Sequence, residues 1–178
     1  MKVLSHLAVM MASQYAINIE QAEEFLGGII MGLIQKDDLK AIETCLKDGE
    51  TVEKEVNEAI TDFMKGDLDD ILAGITVLGN LIQELPQDLG DCEAIQGDIT
   101  RIEKWASIFS DPKKLMTTVV ENLIKHYGSI FSDIDKTSGD IAKADYFSAG
   151  EDIADVLVLT LGAVPEAETP DDLHITQW

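Results

Sequence analysis

Apolar residues recur at helical spacing along almost the whole chain, and acidic residues fill many of the positions between them. From Val52 to Phe63 the apolar side chains follow the i, i+4, i+7, i+8, i+11 pattern of a helix that lies on a core. Similar stripes follow in later segments, and no convincing strand pattern occurs. The sequence therefore predicts an all-α fold, a single-domain antiparallel helical bundle of about six to eight helices with short connections.

Local signals predict where several helices begin and end. Gly66 can end one helix in the left-handed conformation, and Asp67 can cap the next. The helix after Asp67 has Leu68 on its apolar side, and it should end at Pro86, because proline disfavours a helical conformation in the residue before it. Asp111-Pro112 combines a capping carboxylate with a proline suited to a first helical turn, so it predicts a new helix.

The C-terminal half contains two further helical segments. Apolar residues from Leu115 to Ile141, Tyr127 among them, predict a long helix that is interrupted near Gly128 or Gly139. A last helix should begin after Asp145 and end at Gly162. Its C-terminal part is apolar on every side, which predicts a central position in the bundle.

The amino-acid composition and net charge restrict the kinds of molecule that the protein can bind. The chain has 34 Asp and Glu against 13 Lys and Arg, a formal net charge of −21 over 178 residues, although 46% of it is hydrophobic. This charge argues against nucleic acid and anionic lipid, because each phosphate contact would be repulsive. The longest apolar run, residues 25–34, is about half of the roughly 20 residues that a membrane-spanning helix needs. Weak divalent-cation binding to the acidic surface is expected.

The sequence divides into three parts. Residues 1–19 begin with Lys2 and an apolar run, and they are either a secretory signal peptide or an apolar first helix. Residues 20–164 form the predicted helical bundle domain. Residues 165–178 form an acidic C-terminal tail, and its terminal Trp178 is expected to pack back onto the body or to act as a docking residue.

The chain has two cysteines, Cys45 and Cys92. In a reducing compartment both would be small, buried apolar residues. In an oxidising compartment they could form one disulfide, which would add roughly 4 kcal/mol by restricting the unfolded chain. The residues alone leave both alternatives open, because the compartment decides between them.

Several residues are candidates for close packing or for a ligand groove. Gly28 and Gly32 leave one face of an apolar helix bare, so that another backbone can approach it, and Gly74 lies in a similar position in a later helix. Phe25 and Trp105 are large residues on or beside apolar stripes. These positions predict close packing within the bundle, with a groove for an apolar ligand or a contact with another subunit as alternatives.

The sequence predicts no catalytic residue, no cofactor site and no specific metal site. None of the three histidines has a second His or Cys at metal-ligand spacing; they are His6, His126 and His174. Residues 133–144 resemble a calcium loop, but Gly139 is its seventh residue and Ala144 is its twelfth, where a bidentate Glu is required. Cys45 has no local histidine partner that would make it a nucleophile.

Four spaced motifs together resemble a known group of proteins. They are Phe25-Leu26-x-Gly28-x-Ile30-x-x-Leu33-Ile34, Asp38-Leu39-x-x-Ile42-x-x-Cys45, Asp91-Cys92-x-x-Ile95 followed by Trp105, and Asp145-Tyr146-Phe147-x-x-Gly150. With the secretory-like start, this combination resembles small secreted-looking helical proteins of ciliated protists that have no assigned function. The similarity covers about Glu23 to Val164. It implies an extracellular or luminal helical fold with a Cys45–Cys92 bridge, and it implies no catalytic residue.

These observations favour a non-enzymatic acidic protein that acts by binding. Its expected role is that of a subunit or packing component of a secreted or luminal assembly, with a protein partner or with other copies of itself. The alternative is a carrier of a small apolar ligand or lipid in a cavity between the helices that contain Phe25–Ile34 and Val156–Leu161. A hydrolase is a third hypothesis, and it would need His126 hydrogen-bonded to a carboxylate at a cleft.

Overall fold

A computed structural model describes residues 16–166, and all regular structure in this part of the chain is helical. The eight α-helices are α1 (Ile19–Ile34), α2 (Leu39–Cys45), α3 (Gly49–Lys65), α4 (Leu68–Asp88), α5 (Gln96–Ala106), α6 (Pro112–Lys125), α7 (Tyr127–Ala142) and α8 (Tyr146–Leu161). Short 3-10 helices, Glu93–Ile95 and Ser107–Ser110, flank α5. The predicted all-α single-domain bundle is confirmed.

Helices α1 and α8 form the centre of the bundle. They make the most extensive contact between any two helices, and α8 also packs on α6 and α7. Helix α3 packs on α1 and on α4, and α5 packs on α4. The position of α8 agrees with the apolar composition of its C-terminal part, since Val156 and Leu157 are fully buried. The core is therefore lined mainly by aliphatic side chains from most of the helices.

Two predicted helix boundaries have the expected capping contacts. Gly66 adopts a left-handed conformation with φ of 77°, and the Asp67 carboxylate accepts a hydrogen bond from the backbone N–H of Asp70 at 2.9 Å. The Asp111 carboxylate accepts from the backbone N–H of Lys114 at 3.1 Å, and Pro112 is the first residue of α6. These caps satisfy backbone donors that have no partner within the helix.

The predicted end of α4 at Pro86 is wrong, because the helix continues to Asp88. Proline removes one backbone donor, but it lies in the last turn, where few hydrogen bonds depend on it. The backbone N–H of Leu89 still donates to the carbonyl oxygen of Leu85 at 2.8 Å. Leu85 and Leu89 are both buried, so packing against the core favours the additional helical residues.

Two apolar residues that were predicted to face the core are exposed. Leu68 and Tyr127 are each the first residue of a helix, α4 and α7 respectively. The predicted long helix is broken at His126, near Gly128 as expected, while Gly139 lies within α7. Because α7 starts in a new direction, the apolar stripe of α6 does not continue through Tyr127.

The two ends of the chain, residues 1–15 and 167–178, lie outside the described residues. The predicted secretory signal or apolar first helix falls almost wholly in the first of these segments. Most of the predicted acidic tail, with Trp178, falls in the second. Within residues 16–166, no helix is both long enough and apolar enough to cross a membrane.

Candidate functional site

The predicted glycine positions of α1 lie against α8. A Cβ atom on Gly28 would lie 1.9 Å from the carbonyl oxygen of Phe147, and one on Gly32 would lie 2.3 Å from the Cβ of Ala154. Real Cβ atoms do not approach other atoms so closely. The space beside both glycines is therefore filled by α8, and the structure has no groove for a ligand at these two positions.

The other predicted positions are distributed over the bundle. Phe25 is fully buried in the core. Gly74 packs against the Phe63 ring, whose atoms would lie 3.0 Å from an added Cβ. Trp105 is half-buried, and its indole N–H donates to the carbonyl oxygen of Gly162 at 2.8 Å. These residues do not converge on one site, and Trp178 lies outside the described residues.

An exposed apolar row follows one side of α6. Met116, Val120 and Ile124 are spaced four residues apart and are 49%, 42% and 72% exposed. The neighbouring side of α6, one residue earlier at each turn, is buried against the bundle through Leu115, Val119 and Leu123. We call Met116, Val120 and Ile124 the outer face of α6. The apolar pattern of the sequence did not reveal this face, because a helix that is apolar on two sides resembles a more deeply buried one.

The charge on α6 differs in sign from that of the whole protein. Pro112–Lys125 contains three lysines and one acidic residue, a net charge of +2, whereas the chain carries −21. Lys113 and Lys114 lie in its first turn, and Lys125 is its last residue. The outer face is thus an apolar row on a cationic helix in an otherwise acidic protein.

An aromatic pair lies next to the start of α4. The rings of Tyr127 and Phe131 are 4.3 Å apart between centroids. Both side chains, with Leu68, Gly66 and Asp67, line an open cavity of about 510 Å³. Tyr127 follows Ile124 by three residues, so exposed apolar surface is present at both ends of the α6–α7 connection.

The two cysteines form a disulfide beside a second cavity. The Cα atoms of Cys45 and Cys92 are 5.8 Å apart, and the bridge joins the end of α2 to the loop after α4. The adjoining cavity has a volume of about 480 Å³. We call it the disulfide cavity; its lining includes both cysteines, Ala41, Ile95 and Asp38.

Asp38 is an unusual residue of the disulfide cavity, because it is charged and only 5% exposed. One of its carboxylate oxygens lies 3.3 Å from Lys36 Nζ, and the other accepts no hydrogen bond from the described residues. Burial raises the pKa of Asp38, although Lys36 acts in the opposite direction. A buried acceptor without a donor is costly, so this oxygen adds to the free-energy cost of burying Asp38.

Three carboxylates converge between α7 and α8. Asp133, Asp152 and Asp155 each offer an oxygen atom, and these atoms lie within 4.8 Å of one another. Lys136 Nζ donates to Asp133 Oδ1 at 2.6 Å, and Asp152 Oδ2 is buried and accepts no hydrogen bond from the described residues. Acidic pairs are so frequent in the sequence that this group could not be predicted from it. Its only local signal is the i, i+3 spacing of Asp152 and Asp155, which places both on one side of a helix.

Two of these three carboxylates, those of Asp152 and Asp155, have raised pKa values. Burial, and then the nearby Asp140, raise the pKa of Asp152 to about 6, while Lys136 opposes this shift. Burial and the charge of Asp133 raise the pKa of Asp155. Close carboxylates of this kind can share a proton or provide oxygen ligands for a divalent cation.

The hypothesis of a hydrolase has no support from the geometry. His126 is exposed at the junction of α6 and α7, and its side chain makes no hydrogen bond to a carboxylate within residues 16–166. Its backbone carbonyl accepts from the N–H of Ile130 at 3.0 Å. His126 is therefore the residue at which α6 ends and α7 begins.

Comparison with known proteins identifies a family. A family model described as SctB-like, secreted protein B-like, matches residues 8–161. This match runs from before α1 to the end of α8, and it does not test the resemblance to proteins of ciliated protists, which stays a prediction. No curated protein and no solved structure matches the chain. Because the match extends over well more than half of the 178 residues, the chain belongs to the SctB-like family of secreted protein B-like proteins.

Proposed function

We propose that this protein is a secreted, non-enzymatic binding protein that contacts a protein partner through the outer face of α6. Its role would be that of a subunit or packing component of a secreted or luminal assembly. Family membership supports secretion. The Cys45–Cys92 disulfide is in accord with an oxidising compartment, in which such bridges persist.

The observation that carries the binding role is the exposed row of Met116, Val120 and Ile124. Single exposed apolar residues are common, but a continuous exposed row beside the buried side of the same helix is typical of a contact surface. Such a row suits insertion into an apolar groove, where residues at i, i+4 and i+8 act as anchors.

The charge around the outer face indicates the kind of partner. Lys113, Lys114 and Lys125 would attract an acidic surface, and the net charge of +2 on α6 would steer such a partner to this helix. Another copy of the chain, with its charge of −21, meets this requirement when an acidic surface of one copy faces α6 of the other. The favoured partner is thus an acidic protein with an apolar groove, and self-association is one form of it.

The test replaces two anchors on the outer face. Val120→Ser with Ile124→Ser should lower the melting temperature only slightly, because Ile124 is largely exposed and Val120 is about two-fifths exposed. Native mass spectrometry and light scattering of protein from its own secretions should show an assembly for the unchanged chain and a monomer for the double variant. Leu68→Ser, at an exposed apolar position on α4, is the control and should assemble normally.

Two results would contradict this function. One is an unchanged chain that is monomeric and partner-free at every concentration. The other is a double variant that assembles as well as the Leu68→Ser control.

The alternative function, an apolar-ligand carrier, lacks a cavity at part of its predicted location. The cavity was expected between the helices that contain Phe25–Ile34 and Val156–Leu161, but backbone atoms of α1 and α8 meet at Gly28 and Gly150. These contacts leave no room for a ligand where Gly28 crosses Gly150. The native mass spectrum also tests this alternative, since a bound lipid would appear as extra mass that organic solvent removes.

Weak divalent-cation binding remains a second proposed property, supported by the Asp133, Asp152 and Asp155 group. A cation there would offset the repulsion between these carboxylates. Calcium titration followed by the melting temperature tests it. Asp155→Asn should reduce the calcium-dependent rise, and Asp135→Asn, at an exposed site on α7, should not. An equal rise in all three proteins would indicate unspecific screening by the whole acidic surface.

A further inference from the structure

A lysine continues the outer face of α6 toward the start of that helix. Lys113 precedes Met116 by three residues and Val120 by seven, so it lies on the same side of α6 as the apolar row. Its side chain is exposed, as are those of Met116, Val120 and Ile124. The complete surface is therefore an apolar row with a positive charge at its N-terminal end.

The C-terminal end of the same row adjoins an acidic cavity. Tyr127 follows Ile124 by three residues and lines the open cavity of about 510 Å³ together with Phe131. Asp67 and Asp69 line this cavity as well, and both are exposed. Its described lining contains no basic residue, so we call it the acidic cavity. This end of the surface therefore carries negative charge beside an exposed aromatic ring.

The charges at the two ends of this surface are not neutralised by contacts within one copy. Lys113 and Asp69 take part in none of the ion pairs formed within residues 16–166. A surface with an apolar centre and ends of opposite charge is complementary to itself after a rotation of half a turn. Such self-complementarity is the requirement for the isologous contact of a two-fold symmetric dimer.

The spacing of these residues fits an antiparallel contact between two copies of α6. When the helices pack about Val120, the middle of the row, Met116 of one copy faces Ile124 of the other. Lys113 lies seven residues before Val120 and Tyr127 seven after it, each about 10 Å along the axis. Because α7 begins directly after α6 ends, Lys113 of one copy then meets the acidic cavity of the other. A parallel contact would instead place Lys113 against Lys113, where the like charges repel.

We propose that two copies of this protein form a symmetric dimer in which their α6 outer faces pack antiparallel and Lys113 of each binds Asp69 of the other. This inference rests on the proposed function, for which it names a second copy as the partner. The flexible stem of Lys113 lets its ammonium contact both the carboxylate and the Tyr127 ring. An ammonium does not need the Leu68 side chain, so Leu68→Ser stays a neutral change in this contact.

The test reverses the two charges in separate full-length chains. Lys113→Asp or Asp69→Lys alone places like charges at both ends of the contact, so each should raise the Kd of the purified dimer about tenfold or more. An equal mixture of the two variants should form mixed dimers in preference to either homodimer, because both pairs are again of opposite charge. Native mass spectrometry counts each species, at an ionic strength that screens repulsion beyond about 8 Å. Mixed dimers would also show that both variants fold.

Lys114→Asp is the matched control, because it makes the same charge change at a position turned by about 100° around α6. It should dimerise like the unchanged chain, and its mixture with Asp69→Lys should contain no excess of mixed dimer. Random mixing of Lys113→Asp with Asp69→Lys would overturn the proposed contact. A purified chain that is monomeric, while α6 still binds another protein in the secretions, would overturn the dimer and leave the proposed function intact. A dimer that survives Val120→Ser with Ile124→Ser would overturn both.

Discussion

Gly28 and Gly150 face each other where α1 crosses α8. A Cβ on Gly150 would lie 3.0 Å from the Cα of Gly28 and 2.1 Å from the carbonyl oxygen of Phe25. A Cβ on Gly28 would lie 1.9 Å from the carbonyl oxygen of Phe147. The two backbones are therefore in direct contact, and the centre of the bundle depends on the absence of side chains at both positions.

The first prediction concerns this crossing. Gly28→Ala should lower the free energy of unfolding by about 3 kcal/mol, at the upper end for overpacking, because the clash involves backbone that cannot rotate away. Gly139→Ala is the matched control. Nothing lies within 4 Å of a Cβ there, so it should stabilise α7 by about 0.5–1 kcal/mol. Urea denaturation checks both changes, and equal midpoints would show that α1 and α8 do not meet closely.

The second prediction concerns the disulfide. Cys45 and Cys92 are 47 residues apart in sequence, so replacing both by alanine should reduce stability by about 4 kcal/mol in the chain-entropy model. Reduction of the unchanged chain should have a similar effect. Urea denaturation with and without reductant measures it. A midpoint that reductant does not alter would show that the thiols are not paired in solution.

The third prediction is a pH dependence that arises from Asp152. Its pKa of about 6 in the folded protein lies above the ordinary value of 3.8, so the folded protein binds this proton more strongly than the unfolded chain. The stability that Asp152 contributes when protonated is therefore lost as the pH rises from about 4 to 6. Asp152→Asn should raise the free energy of unfolding by about 1 kcal/mol at pH 7, once solvent screening is allowed for, with little change at pH 4.

Measurements of stability from pH 4 to pH 7 distinguish this effect from a general one. Asp135→Asn removes a charge from an exposed position on α7 and should alter stability little at either pH. If both variants were equally stabilised at pH 7, relief of the overall charge of −21 would account for the gain, and Asp152 would have no special role.

The fourth prediction concerns the entry of the chain into α1. The side-chain amide of Asn57 donates to the carbonyl oxygen of Ile17 at 3.0 Å, and its oxygen accepts from the Ile17 backbone N–H at 2.8 Å. Asn57→Ala should cost about 1–2 kcal/mol, because it removes both partners of a partly buried backbone unit. Hydrogen exchange should show faster exchange at Ile17. Thr61→Ala, which removes a bond only within α3, should leave that exchange unchanged.

Local chemistry explains which features could be predicted from the sequence. The cap at Asp67, the left-handed Gly66 and the start of α6 at Pro112 depend on residues within a few positions of each other. The end of α4 was predicted wrongly because burial of Leu85 and Leu89 outweighs the local effect of Pro86. Local preferences are worth about 1 kcal/mol, so packing can override them.

The candidate sites were harder to predict from the sequence than the helix boundaries. The outer face of α6 follows only from the packing of the bundle, which buries Leu115, Val119 and Leu123 and leaves the neighbouring apolar row exposed. Asp133 is 19 positions before Asp152, and only the antiparallel packing of α7 on α8 brings them together. In a chain with 34 acidic residues, no spacing rule could have selected these three.

Periodicity, capping and charge are properties of neighbouring residues, so the all-α class, most helix boundaries and the acidic character of the protein follow from the amino-acid sequence. Three other features follow from the packing of the helices: Gly28 meets α8 without a groove, Asp38 is buried beside the disulfide, and Ile124 is exposed. Each of these depends on which helices pack against one another. That choice is made by the summed burial of many side chains, and no short segment specifies it.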